Sequence, residues 1–270
     1  MGLLNRRWLA CVMVTSALMT GCVQADDDTD NKTEKPKATA AAKASSGNFA
    51  EVRASLLGFS PDVPIQDIRP SSIPGLVEVE LDSGIIYVSE DGQYLVRGDI
   101  SRFEGKRLVS LTDEAMGRKR VELMKTLNRK DMVIFPARGK AKEVITVFTD
   151  TDCGYCRRLH EEVPAMNRMG VEVRYLAYPR NLPRTGPDGG TSKVMRDVWC
   201  HPTPDKAMTI VKSGGRVAEA KASCKAPIEA QYALGQKMGV QGTPAIFTSK
   251  GVNVGGYVTA KQLAERLELK

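Results

Sequence analysis

The chain has 270 residues, 42% of them hydrophobic and 26% charged, with a formal net charge of +7 at neutral pH. That supplies apolar material for one large or two modest cores. The positive surplus is scattered among acidic residues and forms no basic stripe, so the composition argues against a nucleic-acid partner.

At the start of the chain, Arg6 and Arg7 precede a short apolar run over residues 8–19 and then small residues, the layout of a secretory leader. The run is too short to span a bilayer. Val23-Gln24-Ala25 fits ordinary cleavage of a signal peptide spanning residues 1–25, which releases a soluble exported protein. Met19-Thr20-Gly21-Cys22 resembles a bacterial lipobox and gives instead a lipoprotein anchored through Cys22, with Met19 a poor match at its position. Residues 26–47 are Asp, Lys, Thr, Ala and Ser with no apolar period, which predicts a flexible tether.

Apolar residues at 49, 52, 56 and 57 predict a short amphipathic helix. Residues 76–81 alternate cleanly, Asp82-Ser83-Gly84 turns, 85–88 continues, Asp91-Gly92 turns again, and 93–96 completes a meander. Residues 48–112 thus read as a small α+β domain, near the size at which one core is marginal. Pairing with a second copy along its open sheet edge would supply the missing burial. Thr112 is the expected cap of a connector helix over residues 113–127, with Asp113 and Glu114 in its first turn and room for a hinge at either end. Its stripe of Met116, Leu123, Met124 and Leu127 reads as core packing ahead of a substrate-facing surface, and Gly117 weakens it.

Residues 128–270 form the remaining domain. A strand begins near Met132, and the apolar run 144–148 gives way to Cys153-Gly154-Tyr155-Cys156 and a helical pattern from Arg157, in which Pro164 should introduce a kink. A strand over 171–176, a helical insertion holding Cys200 and Cys224, Thr243-Pro244 ahead of a strand from Ala245, and a helix over 259–269 follow. A βαβ unit followed by a β-hairpin and a helix is an α/β sandwich compatible with a thioredoxin fold.

Two thiols three positions apart at a helix start share its first turn, where unpartnered N–H groups and the helix dipole favour a thiolate. Cys153 is the expected nucleophile and Cys156, one turn inside, the shielded resolving thiol. With Cys11 in the leader and Cys22 removed or lipidated, four cysteines remain, and spacing suggests Cys153 with Cys156 and Cys200 with Cys224. The second pair would close a loop of about 25 residues, worth roughly 3.5 kcal/mol on the chain-entropy estimate. The rivals are half a zinc site completed by Cys200 and Cys224, which lack a second close spacing, and an inert disulfide between Cys153 and Cys156. No metal and no dissociable cofactor is expected.

His160 is expected on a helix flank and His201 in a loop ahead of Pro202, neither as a ligand. Glu143 is a candidate for proton transfer to Cys156, although an exposed edge-of-strand carboxylate is the stronger reading. Asp150 and Asp152 are expected to cap the helix or face solvent, and Lys142, Arg157 and Arg158 to make the surroundings mildly electropositive. Taken alone, the Thr243-Pro244 bond reads as trans.

The segment Phe148-Thr149-Asp150-Thr151-Asp152-Cys153-Gly154-Tyr155-Cys156-Arg157-Arg158-Leu159-His160 resembles the active-site segment of the DsbC/DsbG family of bacterial periplasmic disulfide isomerases. Residues 173–180, Val198-Trp199-Cys200, Ser223-Cys224, 232–235 and 239–245 are similar to the same family in the same order. The resemblance covers roughly residues 48–270, strongly in the second domain and mainly in architecture in the first. It implies a periplasmic, V-shaped homodimer paired through residues 48–112, with the connector helices as arms and thioredoxin-like domains facing an apolar cleft for misfolded, disulfide-containing exported proteins. It implies further that Cys153 attacks, Cys156 resolves, Pro244 is cis after Thr243, and Cys200 pairs with Cys224. Gly154, Tyr155, Thr243 and Pro244 are then the expected substrate contacts, and a membrane-embedded thiol reductase of the DsbD type the electron donor. A DsbG-like reductase, a thiol oxidase and a non-enzymatic holdase chaperone are the alternatives. The chain departs from the family in its longer tether, its lipobox-like stretch, and residues 181–192, rich in Pro and Gly around Pro183, Pro187 and Gly189.

Overall fold

The computed structural model of the protein describes residues 49–269, so the leader (1–25), the tether (26–47) and Cys22 lie outside the described residues. Helix α1 (Ala50–Phe59) buries Val52 and Leu56, whereas Leu57, counted in the apolar face from the sequence, is exposed. It packs on an antiparallel sheet of β1 (Ile65–Pro70), β2 (Leu76–Leu81), β3 (Gly84–Ser89) and β4 (Leu95–Val96), in that order. Alternation sorts the two faces: Val77, Val79, Ile86 and Val88 meet α1, while Ile85 and Tyr87 point the other way. The Asp91-Gly92 turn requires its glycine, because Gly92 has φ +70° and a Cβ there would lie 2.5 Å from Ser55 Oγ on α1.

Three strands of this unit are absent from the sequence reading. Strand β1 runs between Pro64 and Pro70 with a register shift between Ile65 and Asp67, which breaks its alternation. The hairpin of β5 (Ser101–Glu104) and β6 (Arg107–Ser110) leaves Phe103 and Leu108 exposed, so it shows no core-facing period.

Helix α2 (Leu111–Lys125) starts earlier than expected. Ser110 is its cap, accepting from Asp113 N at 3.0 Å, while Thr112 lies inside the helix and buried. The Thr112 hydroxyl accepts from Ile100 N at 2.9 Å and sits 3.0 Å from Tyr87 Oη, a tertiary role that no local pattern announces. The apolar stripe is core on both sides: Met116 packs with Ile85 and Tyr87, and Leu123, Met124 and Leu127 pack with Phe148 and Met238. Lys119 Nζ donates to the carbonyls of Leu81 and Asp82. Arg120 donates to Met238 O at 3.0 Å and Gly251 O at 3.1 Å, pairs with Asp113 at 2.6 Å, and lies 4.9 Å over the Phe247 ring. The connector is therefore fastened to both units along its length.

The second unit contains β7 (Val133–Phe135), β8 (Glu143–Thr149), α3 (Gly154–Arg168), β9 (Val171–Ala177), α4 (Leu182–Thr185), α5 (Gly190–Trp199), α6 (Pro204–Lys212), α7 (Ile228–Lys237), β10 (Ala245–Thr248), β11 (Asn253–Gly255) and α8 (Ala260–Arg266). Its sheet has the order β11-β10-β8-β9-β7, with β8 and β9 parallel and the other neighbours antiparallel. Central strand β8 is covered on both faces, which explains its continuous apolar run. Ile145 and Val147 meet Leu159 and Val163 of α3, Met208 of α6 and Leu263 of α8, while Phe148 meets Phe247 and Met238 on the other face. Helix α3 continues through Pro164 to Arg168. The whole is a mixed α/β architecture: a small sheet domain, a connector helix, and a thioredoxin-like domain with a helical insertion.

Candidate active site

Strand β8 delivers the chain to the motif at its C-terminal end, where parallel sheets place their reactive groups. Asp150 is buried there: Oδ1 accepts from Asp152 N at 2.8 Å, and Oδ2 accepts from both Arg180 N and Arg180 Nε at 3.0 Å. The expectation that Asp150 caps α3 or faces solvent is thus replaced by a buried carboxylate that holds the half-exposed Arg180 beside the thiols. Asp152 is exposed and meets Arg157 at 3.5 Å. The N-cap position of α3 is taken by Cys153 itself, with no side-chain cap on the first turn.

Cys153 and Cys156 are free thiols. Cys153 retains 4% exposure and Cys156 none. The Cys153 thiol donates to Thr243 O at 3.1 Å, across the cis Thr243-Pro244 bond. Burial pushes the Cys153 pKa up, yet hydrogen bonds from Thr243 and from Cys156, together with the Arg180 charge, outweigh it and hold the thiol below its ordinary value. The bond to the Thr243 carbonyl belongs to the protonated form. The Thr243 hydroxyl, buried and without a partner while the sulfur is a thiol, is the group that can donate to the thiolate. Cys156 behaves oppositely: burial pushes it above its ordinary value, against the opposing charge of Lys212 and hydrogen bonds from Asp150 and Thr149.

Tyr155 is 60% exposed with its ring 6.3 Å from that of Tyr257, and Gly154 has open space where a side chain would begin. Of the expected substrate contacts, Thr243 touches the Cys153 sulfur through its carbonyl, Pro244 follows it across the cis bond, and Gly154 and Tyr155 lie between the two thiols in the chain. Cys200 and Cys224 are joined in a disulfide with Cα atoms 6.1 Å apart, away from the motif thiols. Among the described residues, no group of three or more His, Cys, Asp and Glu is placed to hold a metal.

Several predicted neighbours lie elsewhere. Glu143 sits at the opposite end of β8, where its carboxylate accepts from Val144 N and Ser249 N. Lys142 is at that same far end, its backbone N–H donating to Gly170 O. His160 is buried rather than flanking the helix, bonded to Tyr175 Oη at 3.2 Å and Thr209 Oγ1 at 3.1 Å, and burial with the Lys212 charge pushes its pKa down to about 4. The positive groups at the thiols are Arg180, whose charge acts on Cys153, and the unanticipated Lys212, whose charge acts on Cys156; Arg157, expected here, donates to Thr151 O at 3.3 Å. Lys212 had a legible signal: it lies four residues after Met208 and next to Val211, on the buried face of α6.

A buried pair of free thiols at a helix start beside a cis-proline loop, in a thioredoxin-like domain, defines a thiol-disulfide oxidoreductase. The family described as thioredoxin-like domain matches residues 129–270, and the family described as disulfide bond isomerase protein N-terminal domain matches residues 36–113. The chain is 39% identical over 204 residues to the thiol:disulfide interchange protein DsbC of Escherichia coli (strain K12), covering 75% of this chain and 80% of that protein. It is 37% identical over 221 residues to the protein of the same name from Salmonella typhimurium, covering 81% and 86%. With that of Haemophilus influenzae it shares 37% identity over 205 residues, covering 74% and 82%. The chain belongs to the DsbC family of thiol:disulfide interchange proteins.

Proposed function

We propose that the protein reshuffles incorrect disulfides in exported proteins through a mixed disulfide on Cys153. The observation that carries this reading is the division between the two thiols: Cys153 is edge-accessible with its pKa lowered, and Cys156 is sealed with its pKa raised. Cys153 thiolate attacks one sulfur of a client disulfide, the client S–S bond breaks, and the released client thiolate takes up a proton. A second client thiolate then attacks the client sulfur of the mixed disulfide, which completes isomerisation and returns Cys153. Alternatively Cys156 attacks Cys153, the client leaves reduced, and the protein is left oxidised. A membrane-embedded thiol reductase then restores the two thiols.

Gly154, Tyr155, Thr243 and Pro244 form the client contact, and the Cys200–Cys224 disulfide is structural. A groove of about 950 Å³ extends from Thr243 and Pro244 past Met116 and Arg120 to Ser83 and Ile85, giving an extended client segment a path from the cis-proline loop to the small sheet. Homodimerisation falls to residues 48–112, supported by Phe59, Tyr94, Leu95, Val96, Phe103 and Leu108, all exposed on that unit. Its β4 is a sheet edge. The domains follow as a leader over 1–25, a tether over 26–47, the connector over 113–127 and the catalytic domain over 128–270. Export to the periplasm rests on the leader. Among the described residues no helix is long and apolar enough to cross a membrane.

The test is refolding of a scrambled disulfide protein by the full chain, by Cys153→Ser, and by a truncation beginning at Asn128. Cys153→Ser should abolish reshuffling. The truncation should lose isomerisation while still attacking a small disulfide. Reshuffling retained by Cys153→Ser refutes the assignment.

A further inference from the structure

Lys212 is buried to 4% exposure at the end of α6, inside the helical insertion. Its Nζ donates to Thr149 Oγ1 at 2.7 Å and to Asp150 O at 2.8 Å. Both acceptors are neutral, and the nearest carboxylate, that of Asp150, is engaged by Arg180. An ammonium taken out of water without a counter-ion is costly. Thr149 is itself fully buried, and its hydroxyl, held by Lys212, is among the groups that pull the Cys156 thiol toward its anion. A Cys156 thiolate is the anion missing from this arrangement.

We propose that Lys212 is a positioning residue for the resolving step: its buried ammonium, acting through Thr149, is the counter-ion of the Cys156 thiolate that displaces the client. The inference rests on the assignment of Cys153 as attacking and Cys156 as resolving thiol. In the step, Cys156 loses its proton and its sulfur forms a bond to Cys153 sulfur. The Cys153–client S–S bond breaks with its electron pair leaving on the client sulfur, which takes up a proton. The protein pair is oxidised and the client reduced. The isomerising route, closed by a client thiol, does not pass through Cys156 and is independent of Lys212.

The charged and titratable groups facing Lys212 are Asp150 from the loop after β8, and Cys153, Cys156, Arg157 and His160 from the α3 segment. Burial lowers the Lys212 pKa to about 8, against the pull of Cys156, Asp150 and Cys153 and with the push of Arg157, so the group remains largely ammonium at neutral pH.

The experiment mixes the reduced full chain with Ellman's reagent, whose aromatic thiolate absorbs, in a stopped-flow instrument across a range of pH. The first release reports attack by Cys153 and the second reports resolution by Cys156. K212M should leave the first phase within about twofold and slow the second about tenfold at pH 7. The midpoint of its pH profile should rise by roughly one unit, since one unit of thiol pKa is a tenfold change in thiolate near neutrality. K212R, which restores the charge, should recover the second phase, and T149V should slow it in the same direction. Circular dichroism checks folding, and T149V decides the matter if K212M does not fold. An unchanged second phase in folded K212M or T149V, or K212R as slow as K212M, overturns the role of Lys212. Absence of the first phase in the parent protein overturns the assignment of Cys153, and this inference with it.

Discussion

Replacing Arg120 with Met should uncouple the connector from the catalytic domain without unfolding either. The side chain is nearly fully buried and is the donor to two backbone carbonyls of the second unit, Met238 O at 3.0 Å and Gly251 O at 3.1 Å. Leaving a buried acceptor unpaired costs about 1–3 kcal/mol. Losing the cation over the Phe247 ring, at 4.9 Å, costs about 1 kcal/mol more. The Asp113 partner is about one-third exposed and contributes little. Methionine recovers part of the sum by packing, which leaves a net loss of about 3 kcal/mol, or roughly two decades in a local opening equilibrium. Hydrogen exchange of the native protein should therefore quicken by about that factor across residues 237–241 and 250–252, with smaller effects in β2 and β3. Attack on a small disulfide should persist, while isomerisation of a scrambled protein should slow. Unchanged exchange in those two segments would refute the view that Arg120 joins the units.

Three other outcomes are expected. His160 has its pKa held at about 4, below the 6.5 of the free side chain, so the unfolded chain binds the extra proton first as pH falls. Stability should be intact above about pH 6.5 and decline by about 3 kcal/mol toward pH 4, and His160→Gln should remove that part of the pH dependence in urea titrations; an equal decline in both proteins refutes it. Cys200→Ser with Cys224→Ser should cost about 3.5 kcal/mol in chemical denaturation, and a loss below about 1 kcal/mol would show that the link does not constrain the unfolded chain. Phe103 and Leu108 are cross-strand partners, so Phe103→Lys with Leu108→Glu keeps the hairpin as a charge pair while removing its apolar face. Sedimentation should then show a shift from dimer toward monomer with loss of isomerisation, and an unaltered dimer would exclude the hairpin from the interface.

Legibility followed how local the cause was. Strands β2 and β3 and the run into Cys153 were readable because each carries one period over several residues. Strand β1 was not, since its register shift and flanking prolines erase the period, and neither was the β5–β6 hairpin, whose apolar side chains face outward. Ser110 and Thr112 are equally good caps in a sequence; the choice is made by Tyr87 and Ile100, which claim the Thr112 hydroxyl. The thiols were legible as a pair, but the groups that distinguish them were not. Asp150 looked like a cap because its partner Arg180 lies 30 residues away, and Lys212 drew no notice because a lysine is ordinarily solvated.

That last failure bears on how the site works. Cys153 and Cys156 share one helical turn, so the dipole of α3 acts on both in the same direction and cannot by itself lower one pKa while the other rises. The difference comes from burial, which raises Cys156 most, and from Thr243 and Arg180, which lower Cys153; Lys212 and Thr149 act on Cys156 against its burial and so narrow the gap. Lys212 belongs to α6, which lies wholly between Cys200 and Cys224, so the disulfide closes the loop that carries it. A protein lacking that disulfide would keep the surroundings of Cys153, which are built from β8, β9 and β10, and lose the constraint on Lys212. On the proposed roles of the two thiols, loosening the insertion should slow resolution by Cys156 and bias the reaction toward release by client thiols.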